Sequence, residues 1–177
     1  MIYNSVQLPY EINQTNKIMF TKFKLLILAA TLIFAYGSTS NVPTTHIITL
    51  NVDTGKITST NTDETANFGQ EQDVANRDFT TIVKNGDIVL WKGVSSSSPD
   101  NDQVLIEAIN YEGGTNVFGQ NTLKDTRQNP GIVVGTVTEG ENGDREKYTI
   151  SFKVLNNGVK RGGTYLIDPQ IMVKLEL

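Results

Sequence analysis

The segment from Arg145 to Gly158 alternates apolar and polar side chains more clearly than any other part of the chain. Every second residue is apolar, and the residues between are threonine, serine and lysine. The apolar residues are Tyr148, Ile150, Phe152 and Val154. A period of two is that of a β-strand with one buried face and one face in water, whereas an amphipathic helix repeats every 3.6 residues. This segment therefore predicts a half-buried antiparallel strand.

Other short runs rich in β-branched and aromatic residues are spaced along the chain, with turn residues between them. They read HIITLNV, FTTIV, DIVLWKG, QVLIEAINY, GIVVGTVTE and TYLIDPQIMV. No segment after residue 45 sustains a helical period. About seven to nine strands without intervening helices predict an all-β fold, an antiparallel β-sandwich of the immunoglobulin-like, cupredoxin-like or jelly-roll-like kind. An up-and-down barrel is the alternative.

Turn residues suggest how two of these strands connect. Asn85-Gly86-Asp87 separates FTTIV from DIVLWKG. Because Asn-Gly tolerates the positive φ angles of tight turns, we predict a β-hairpin at this position.

Two features mark departures from regular strands. Gly135 lies inside a predicted strand and indicates a bend, a bulge or the close approach of another element. Asp168-Pro169 divides the last predicted strand, because proline cannot donate a ladder hydrogen bond.

The N-terminal region contains the pattern of a secretory signal. Lys22 and Lys24 precede an apolar run over residues 25–35, and Gly37 and Ser38 follow it. The run is shorter than the roughly 20 residues that a helix needs to cross a bilayer, so a signal peptide is favoured over a membrane anchor. We therefore expect an exported protein, secreted, periplasmic or at the cell surface, with no stable membrane insertion after signal cleavage.

The sequence accordingly divides into four parts. They are an upstream extension over residues 1–18, with Met19 as the expected start of translation; the signal peptide over residues 19–37; a flexible linker over residues 38–45; and a single β-sandwich domain over residues 46–177.

Composition excludes several kinds of chemistry. The chain has no cysteine, so disulfides, thiolate nucleophiles and cysteine-based zinc or blue-copper sites are ruled out. His46 is the only histidine, so any His-dependent catalytic triad would have to use it. The net charge of -4 provides no basic field for a phosphate backbone, and nucleic acid is not an expected partner. We predict no cofactor.

The loop VSSSSPDND, which follows the only tryptophan, is the favoured place for a ligand. The candidate ligand-binding residues are Trp91, Ser96, Ser97, Asp100, Asp102 and Tyr111. The aromatic rings could stack on a sugar with few rotatable bonds to immobilise. Asp100 and Asp102 are weak calcium candidates, and no other metal site is predicted. The simpler alternative is a solvated turn shaped by its Ser, Asn, Asp and Pro residues.

Glu107 is the most unusual single carboxylate, because it lies within the apolar run VLIEAIN. Regular alternation would place it on the same face as Leu105 and Ile109. A glycosidase-like hydrolase needs two carboxylates facing each other across a cleft, which sequence alone does not establish. A structural carboxylate is the more common explanation.

Four motifs occur in the order ITLNVDTG, NGDIVLWKGVSSSS, INYEGGTNVFGQN and YLIDPQIMV. In this order they resemble the bacterial inclusion-body protein family of the AidA/PixA type, over His46 to Lys174. The resemblance implies a small, non-enzymatic β-sandwich and supplies no catalytic residues, whereas an export signal departs from the intracellular inclusions of that family. The NGD strand is also similar to cupredoxin-like domains, but the two histidines and one cysteine of a blue-copper site are missing.

These observations favour an exported, non-catalytic β-sandwich that acts by binding or self-association. The alternative is a lectin-like or adhesion module that binds a glycan, with or without calcium. A carboxylate-based hydrolase is the least favoured function.

Overall fold

The computed structural model describes residues 42–174, which form two β-sheets around a common core. The strands are β1 (Thr45–Val52), β2 (Ala66–Asn67), β3 (Thr80–Val83), β4 (Ile88–Ser95), β5 (Asp102–Gly114), β6 (Thr122–Lys124), β7 (Ile132–Thr136), β8 (Arg145–Asn156), β9 (Val159–Ile167) and β10 (Gln170–Val173). One helical turn, α1 (Thr62–Thr65), and a 3-10 turn (Asn76–Asp78) lie between β1 and β3. The predicted extension and signal peptide lie outside the described residues, as do residues 38–41 of the predicted linker.

The prediction of an all-β sandwich is confirmed. A four-stranded sheet has the order β2-β1-β4-β7, and a six-stranded sheet has the order β3-β10-β8-β5-β6, with β9 pairing with β8. Both sheets are mixed rather than wholly antiparallel, because β1 runs parallel to β4 and β3 runs parallel to β10. Parallel neighbours need a long crossover connection. The segment between β1 and β4 supplies it, and one of its strands, β3, joins the other sheet.

The predicted hairpin at residues 85–87 is wrong. β3 pairs with β10 in the six-stranded sheet, whereas β4 lies between β1 and β7 in the four-stranded sheet. The turn itself forms, since the Asp87 N–H donates to the Lys84 carbonyl at 3.0 Å and Gly86 has φ 93°. A positive φ at the third residue alone is typical of a type II turn, which does not match the twist of paired strands. The turn carries the chain from one sheet to the other.

A second Asn-Gly pair, elsewhere in the chain, does form a β-hairpin. Asn157 and Gly158 join β8 to β9, and their φ angles are 48° and 79°. Positive φ at both central residues is the signature of the type I′ turn that two-residue hairpins favour.

The core between the sheets contains the largest aromatic side chains. Trp91, Tyr148 and Phe152 are fully buried. The Trp91 ring meets Phe118 and Tyr148 edge to face, with centroid separations of 5.3 and 5.8 Å. Its indole N–H donates to the Tyr148 hydroxyl at 3.2 Å, which satisfies the one polar atom of the indole.

Both predicted departures from regular strands are present. A Cβ atom at Gly135 would lie 2.6 Å from Leu123 Cδ1 and 2.9 Å from Phe118 Cδ1, so this glycine permits a close approach across the core. Asp168 and Pro169 separate β9 from β10, as proline requires.

Gly93 provides the corresponding test of packing between the two sheets. A Cβ atom at this position would lie 2.6 Å from the Val104 carbonyl oxygen in β5. We expect Gly93→Ala to lower the free energy of unfolding by roughly 1–3 kcal/mol, because backbone must move to admit the methyl group. Urea unfolding measures the change, with Gly113→Ala as control, since a Cβ atom there would meet nothing within 4 Å. Equal midpoints for the two variants would contradict this account.

Candidate functional site

The loop VSSSSPDND, residues 94–102, which we call the serine loop, encloses a buried hydroxyl. Thr54 is fully buried, and its Oγ1 lies 2.7 Å from Ser95 Oγ and 3.0 Å from Ser97 Oγ. The same hydroxyl donates to Asp102 Oδ2 at 2.6 Å. These bonds join the end of β1 to the end of β4 and the start of β5. We call Thr54, Ser95, Ser97 and Asp102 the polar cluster.

Asp102 completes this cluster with residues of the β8–β9 hairpin. Its Oδ2 accepts a hydrogen bond from Asn156 Nδ2 at 2.7 Å, and its Oδ1 accepts one from the Asn157 N–H at 3.1 Å. The Thr54 hydrogen bond, with those from Asn156 and Asn157 and the charge of Arg161, outweighs burial and lowers the pKa of Asp102 below its usual range. The carboxylate therefore acts as a structural anchor.

The two calcium candidates are not arranged as a site. Both Asp102 oxygens accept hydrogen bonds from the protein, while Asp100 lies on the exposed part of the loop. Within residues 42–174, no group of three or more His, Asp or Glu side chains is placed to hold a metal ion. Calcium needs 6 to 8 oxygen ligands, so this pair has no support as a calcium site.

The assignment of Trp91 as a ligand-binding residue is wrong. Val89 and Trp91 face the core and are fully buried, while Ile88 and Leu90 face outward and are half-buried. Because the run DIVLW is apolar at every position after Asp87, its sequence does not reveal which parity faces inward. A ring buried among Phe118 and Tyr148 presents no surface to a sugar.

The remaining candidates have different surroundings. Ser96 and Asp100 are exposed. Ser97 is exposed as a residue, but its hydroxyl belongs to the polar cluster and also accepts the Gly55 N–H at 3.1 Å. Tyr111 is half-buried, and its hydroxyl donates to the Gly114 carbonyl at 2.7 Å. The structure therefore does not gather the six candidates into one surface.

Glu107 owes its position to a β-bulge. The register between β5 and β8 shifts between Ile106 and Ala108, so Glu107 is an extra residue and the alternation reverses after it. Ile109 is therefore buried, contrary to the expectation that it shares a face with Glu107. The carboxylate forms an ion pair with Lys153 on the outer face of the six-stranded sheet.

Sequence reasoning missed a second carboxylate, Glu146, which is 1% exposed. Its Oε2 accepts the Val117 N–H at 2.7 Å, and the Phe118 N–H also contributes a hydrogen bond. Burial raises the pKa of Glu146 from 4.5 to about 7, more than these backbone bonds lower it. The only signal in the sequence is its place on the apolar parity of β8, where a charge is not expected.

His46 is also paired. Its Nε2 lies 2.7 Å from Asp87 Oδ2. Burial alone would raise the pKa of Asp87, but hydrogen bonds from Thr44, His46 and Lys84 outweigh it and place the pKa below its usual range. This arrangement fixes the start of β1 against the turn that precedes β4.

The surface of the described residues includes several concave regions. A groove of about 330 Å³ beside the serine loop is lined by Lys92, Val94, Pro99, Gln103, Leu105 and Pro130, among others. A notch of about 360 Å³ includes Arg77, Glu112, Lys147 and Asp168, and a third region of about 490 Å³ is formed by residues 63–76. Burial, with the Asp63 and Glu112 carboxylates, raises the pKa of Asp168 in the notch.

The outer face of the four-stranded sheet carries a row of apolar side chains among neutral polar ones. Ile47 pairs with Leu90, and Leu90 pairs with Val134, so these three side chains form one row across β1, β4 and β7. Ile47 is 60% exposed and Val134 is 49% exposed. We call these three residues the apolar row. Further apolar residues at outward positions of β4 and β7 are Ile88, Val94 and Ile132. Lys92 is the one charged residue at an outward position of β1, β4 and β7 within the described chain.

The outer face of the six-stranded sheet is different. It carries the Glu107–Lys153 ion pair, and Asn110 Nδ2 donates to Ser151 Oγ at 3.1 Å. Here polar groups satisfy one another, as on a sheet face that meets water. Exposed apolar residues occur on this face too, since Ile82 and Leu166 are 49% and 56% exposed, but Leu166 pairs with Ser151, and Met172, the neighbour of Ile82, pairs with Arg145. The apolar row runs unbroken across three strands and is the candidate interaction surface.

The fold is similar to that of a solved structure, the inclusion body protein PixA from Burkholderia cenocepacia J2315. The two share 13% sequence identity with a TM-score of 0.55, over 77% of this chain and 99% of that chain. The likeness confirms the resemblance to the AidA/PixA type at the level of the fold. The N-terminal domain of phage TP901-1 ORF48 also matches, at 13% identity over 75% of this chain and 99% of that chain, but the TM-score of 0.33 is too low to indicate the same fold.

No family model and no curated protein matches the sequence. Within residues 42–174, no helix has the length and apolar character needed to cross a membrane.

The structural role of the polar cluster can be tested with two neighbouring serines. Ser95 is 3% exposed, and its Oγ bonds Thr54 Oγ1 and accepts the Ser98 N–H at 2.9 Å. We expect Ser95→Ala to lower the free energy of unfolding by about 1–3 kcal/mol, because buried partners lose a hydrogen bond. Ser96→Ala, at an exposed position, should stay within about 0.5 kcal/mol of the wild type. Urea unfolding of both variants measures this, and a larger loss for Ser96→Ala would overturn the assignment.

Glu146 should make stability depend on pH. Between pH 4.5 and about 7 the folded state binds a proton that the unfolded state lacks, so the free energy of unfolding falls as the pH rises. The fall should approach about 3 kcal/mol, and Glu146→Gln should remove it. Urea unfolding at pH 5, 6, 7 and 8 measures the slope, with exposed Glu141→Gln as control. A slope that persists in Glu146→Gln would refute this origin.

Proposed function

We propose that this chain is an exported, non-catalytic β-sandwich that acts by self-association through the outer face of its four-stranded sheet. The observation that carries the proposal is the apolar row of Ile47, Leu90 and Val134 on a face with one charged residue. Contiguous apolar surface on a soluble domain marks an interaction site. The pattern over residues 19–37 supports export.

A second copy of the chain fits this face in charge and shape. The protein carries a net charge of -4, yet the face itself contributes only Lys92, so two such faces can approach without strong repulsion. Two sheets can also stack at about 10 Å with their side chains interdigitated. The similarity to the fold of an inclusion body protein agrees with this proposal.

The size of the face indicates how strong such a contact is. Three strands about 4.8 Å apart, each with about five residues of about 3.3 Å rise, cover roughly 240 Å² per copy. A stable interface buries about 800 Å² per partner. Stacking of this face alone is therefore weak, and we expect association to depend on protein concentration.

The carbohydrate alternative has lost its main stacking ring, because Trp91 lies in the core. Ser96, Asp100 and the half-buried Tyr111 do not form a shared surface with it. Glycan binding stays a prediction, and no contact in the structure favours it over self-association.

Leu90→Lys should weaken the assembly without unfolding the domain. Leu90 faces outward, and a lysine stem can lie along the sheet with its ammonium group in water. For the full-length chain, we expect the weight-average mass from sedimentation to rise with concentration in the wild type and to rise much less in Leu90→Lys. Leu166→Lys is the matched control, since Leu166 is 56% exposed on the other sheet.

Two results would contradict the proposal. One is a wild-type protein that stays monomeric at millimolar concentration. The other is an equal effect of Leu90→Lys and Leu166→Lys on the mass.

A further inference from the structure

One edge of the four-stranded sheet is largely uncovered. β1 pairs with β4 over its whole length, but β2 pairs with it only at Asn51 and Val52. Within the described residues, Thr45 to Leu50 therefore have no strand neighbour on the β2 side.

The hydrogen bonds to β4 show which backbone groups face this open side. The Ile88 N–H donates to the Thr44 carbonyl, and the Ser96 N–H donates to the Val52 carbonyl. Even-numbered residues of β1 therefore direct their backbone groups toward β4. Because successive residues of a strand point in opposite directions, Thr45, Ile47 and Thr49 direct theirs away from β4. The N–H of Asp53, another odd-numbered residue, also points away from β4 and donates to the Thr65 carbonyl at 2.8 Å.

This edge lacks the features that prevent an exposed strand from pairing with another chain. Its sequence THIITL has high β-propensity and contains no lysine, proline or glycine. The β9 edge, by contrast, carries Lys160 and Arg161 and an irregularity at Gly162-Gly163. Charges and bulges discourage pairing with another chain, and a long, flat, apolar edge invites it.

We propose that β1 is the contact between two copies of this chain, which pair their β1 strands antiparallel about a two-fold axis at Ile47. In this register each Ile47 exchanges both backbone hydrogen bonds with Ile47 of the partner subunit, and Thr45 faces Thr49 of the partner subunit. The inference rests on the proposed self-association and names the surface that starts it.

The same pairing compensates for the small area of a single face. Joining two β1 edges merges two four-stranded sheets into one, and the two apolar rows become continuous across the axis. The apolar face then doubles to roughly 480 Å² by the same strand spacings. No like charges oppose each other, since the only ionisable residue of the segment is His46, which is paired with Asp87 inside its own subunit.

Ile47→Pro tests the edge while keeping an apolar side chain. Proline removes the N–H that would bond the partner, and edge strands accept proline where that N–H faces away from the sheet. For the full-length chain, we expect the dissociation constant from sedimentation equilibrium to rise at least tenfold, with the circular dichroism spectrum unchanged. If Ile47→Pro does not fold, the pair Thr45→Lys and Thr49→Lys places charges on the same edge. Thr164→Lys on the β9 edge is the control and should assemble like the wild type.

Amide hydrogen exchange provides a direct readout. The amides of Thr45, Ile47 and Thr49 should exchange fast in dilute wild-type protein and become protected as concentration rises, in parallel with the mass. Protection that does not change on dilution would mean that another part of the same chain covers the edge, and it would overturn the inference.

The two proposals fail in different ways. If the wild type assembles, Leu90→Lys assembles less and Ile47→Pro assembles normally, the edge contact is wrong and association through the sheet face stands. If the wild type is monomeric at every concentration, both are wrong.

Discussion

The parallel pairing of β1 with β4 determines much of this molecule. Two parallel neighbours cannot be joined by a tight turn, so the chain must leave the sheet between them. Residues 53–87 make this excursion, and on the way they contribute β3 to the opposite sheet. They return only two residues, Ala66 and Asn67, to the side of β1. The open edge of β1 and the type II turn at residues 84–87 are both consequences of this route.

The ends of this excursion need firm anchoring, because the strands it connects lie in different sheets. At one end Thr54 is held by Ser95, Ser97 and Asp102, and at the other Asp87 holds His46 and the Thr44 N–H. Buried hydroxyl and carboxylate groups are stable here because each finds partners within reach. The serine loop is thus explained by the architecture, and a ligand is not needed to account for its composition.

Sequence predicted the fold class well, because alternation and turn residues report directly on strands. It failed where local pattern is ambiguous. Asn85-Gly86 and Asn157-Gly158 are the same dipeptide, yet only the second has both residues at positive φ and forms a hairpin. Which geometry forms depends on the partners available to the flanking strands, and these are set by contacts distant in sequence.

The prediction of the candidate site was wrong for a related reason. In DIVLW both parities are apolar, so the inward position of Trp91 was not readable, and the bulge at Glu107 reversed an alternation that the sequence presents as regular. The same lack of alternation is informative when several strands are compared. Ile47-Ile48, Ile88 to Trp91 and Ile132 to Val134 are each apolar on both faces, and these runs lie in three strands that prove to be neighbours.

A strand with two apolar faces in an open sheet needs cover on both. The six-stranded sheet covers one face of β1, β4 and β7, and nothing within residues 42–174 covers the other. The free backbone groups of β1 lie beside this same uncovered surface, so one partner placed along the edge would extend both the hydrogen-bond ladder and the apolar row. Edge pairing extends the apolar face without covering it, so the merged sheet presents a larger surface on which another sheet can stack. Edge and face therefore favour successive steps of one assembly, and a copy of the sheet suits both better than a small ligand.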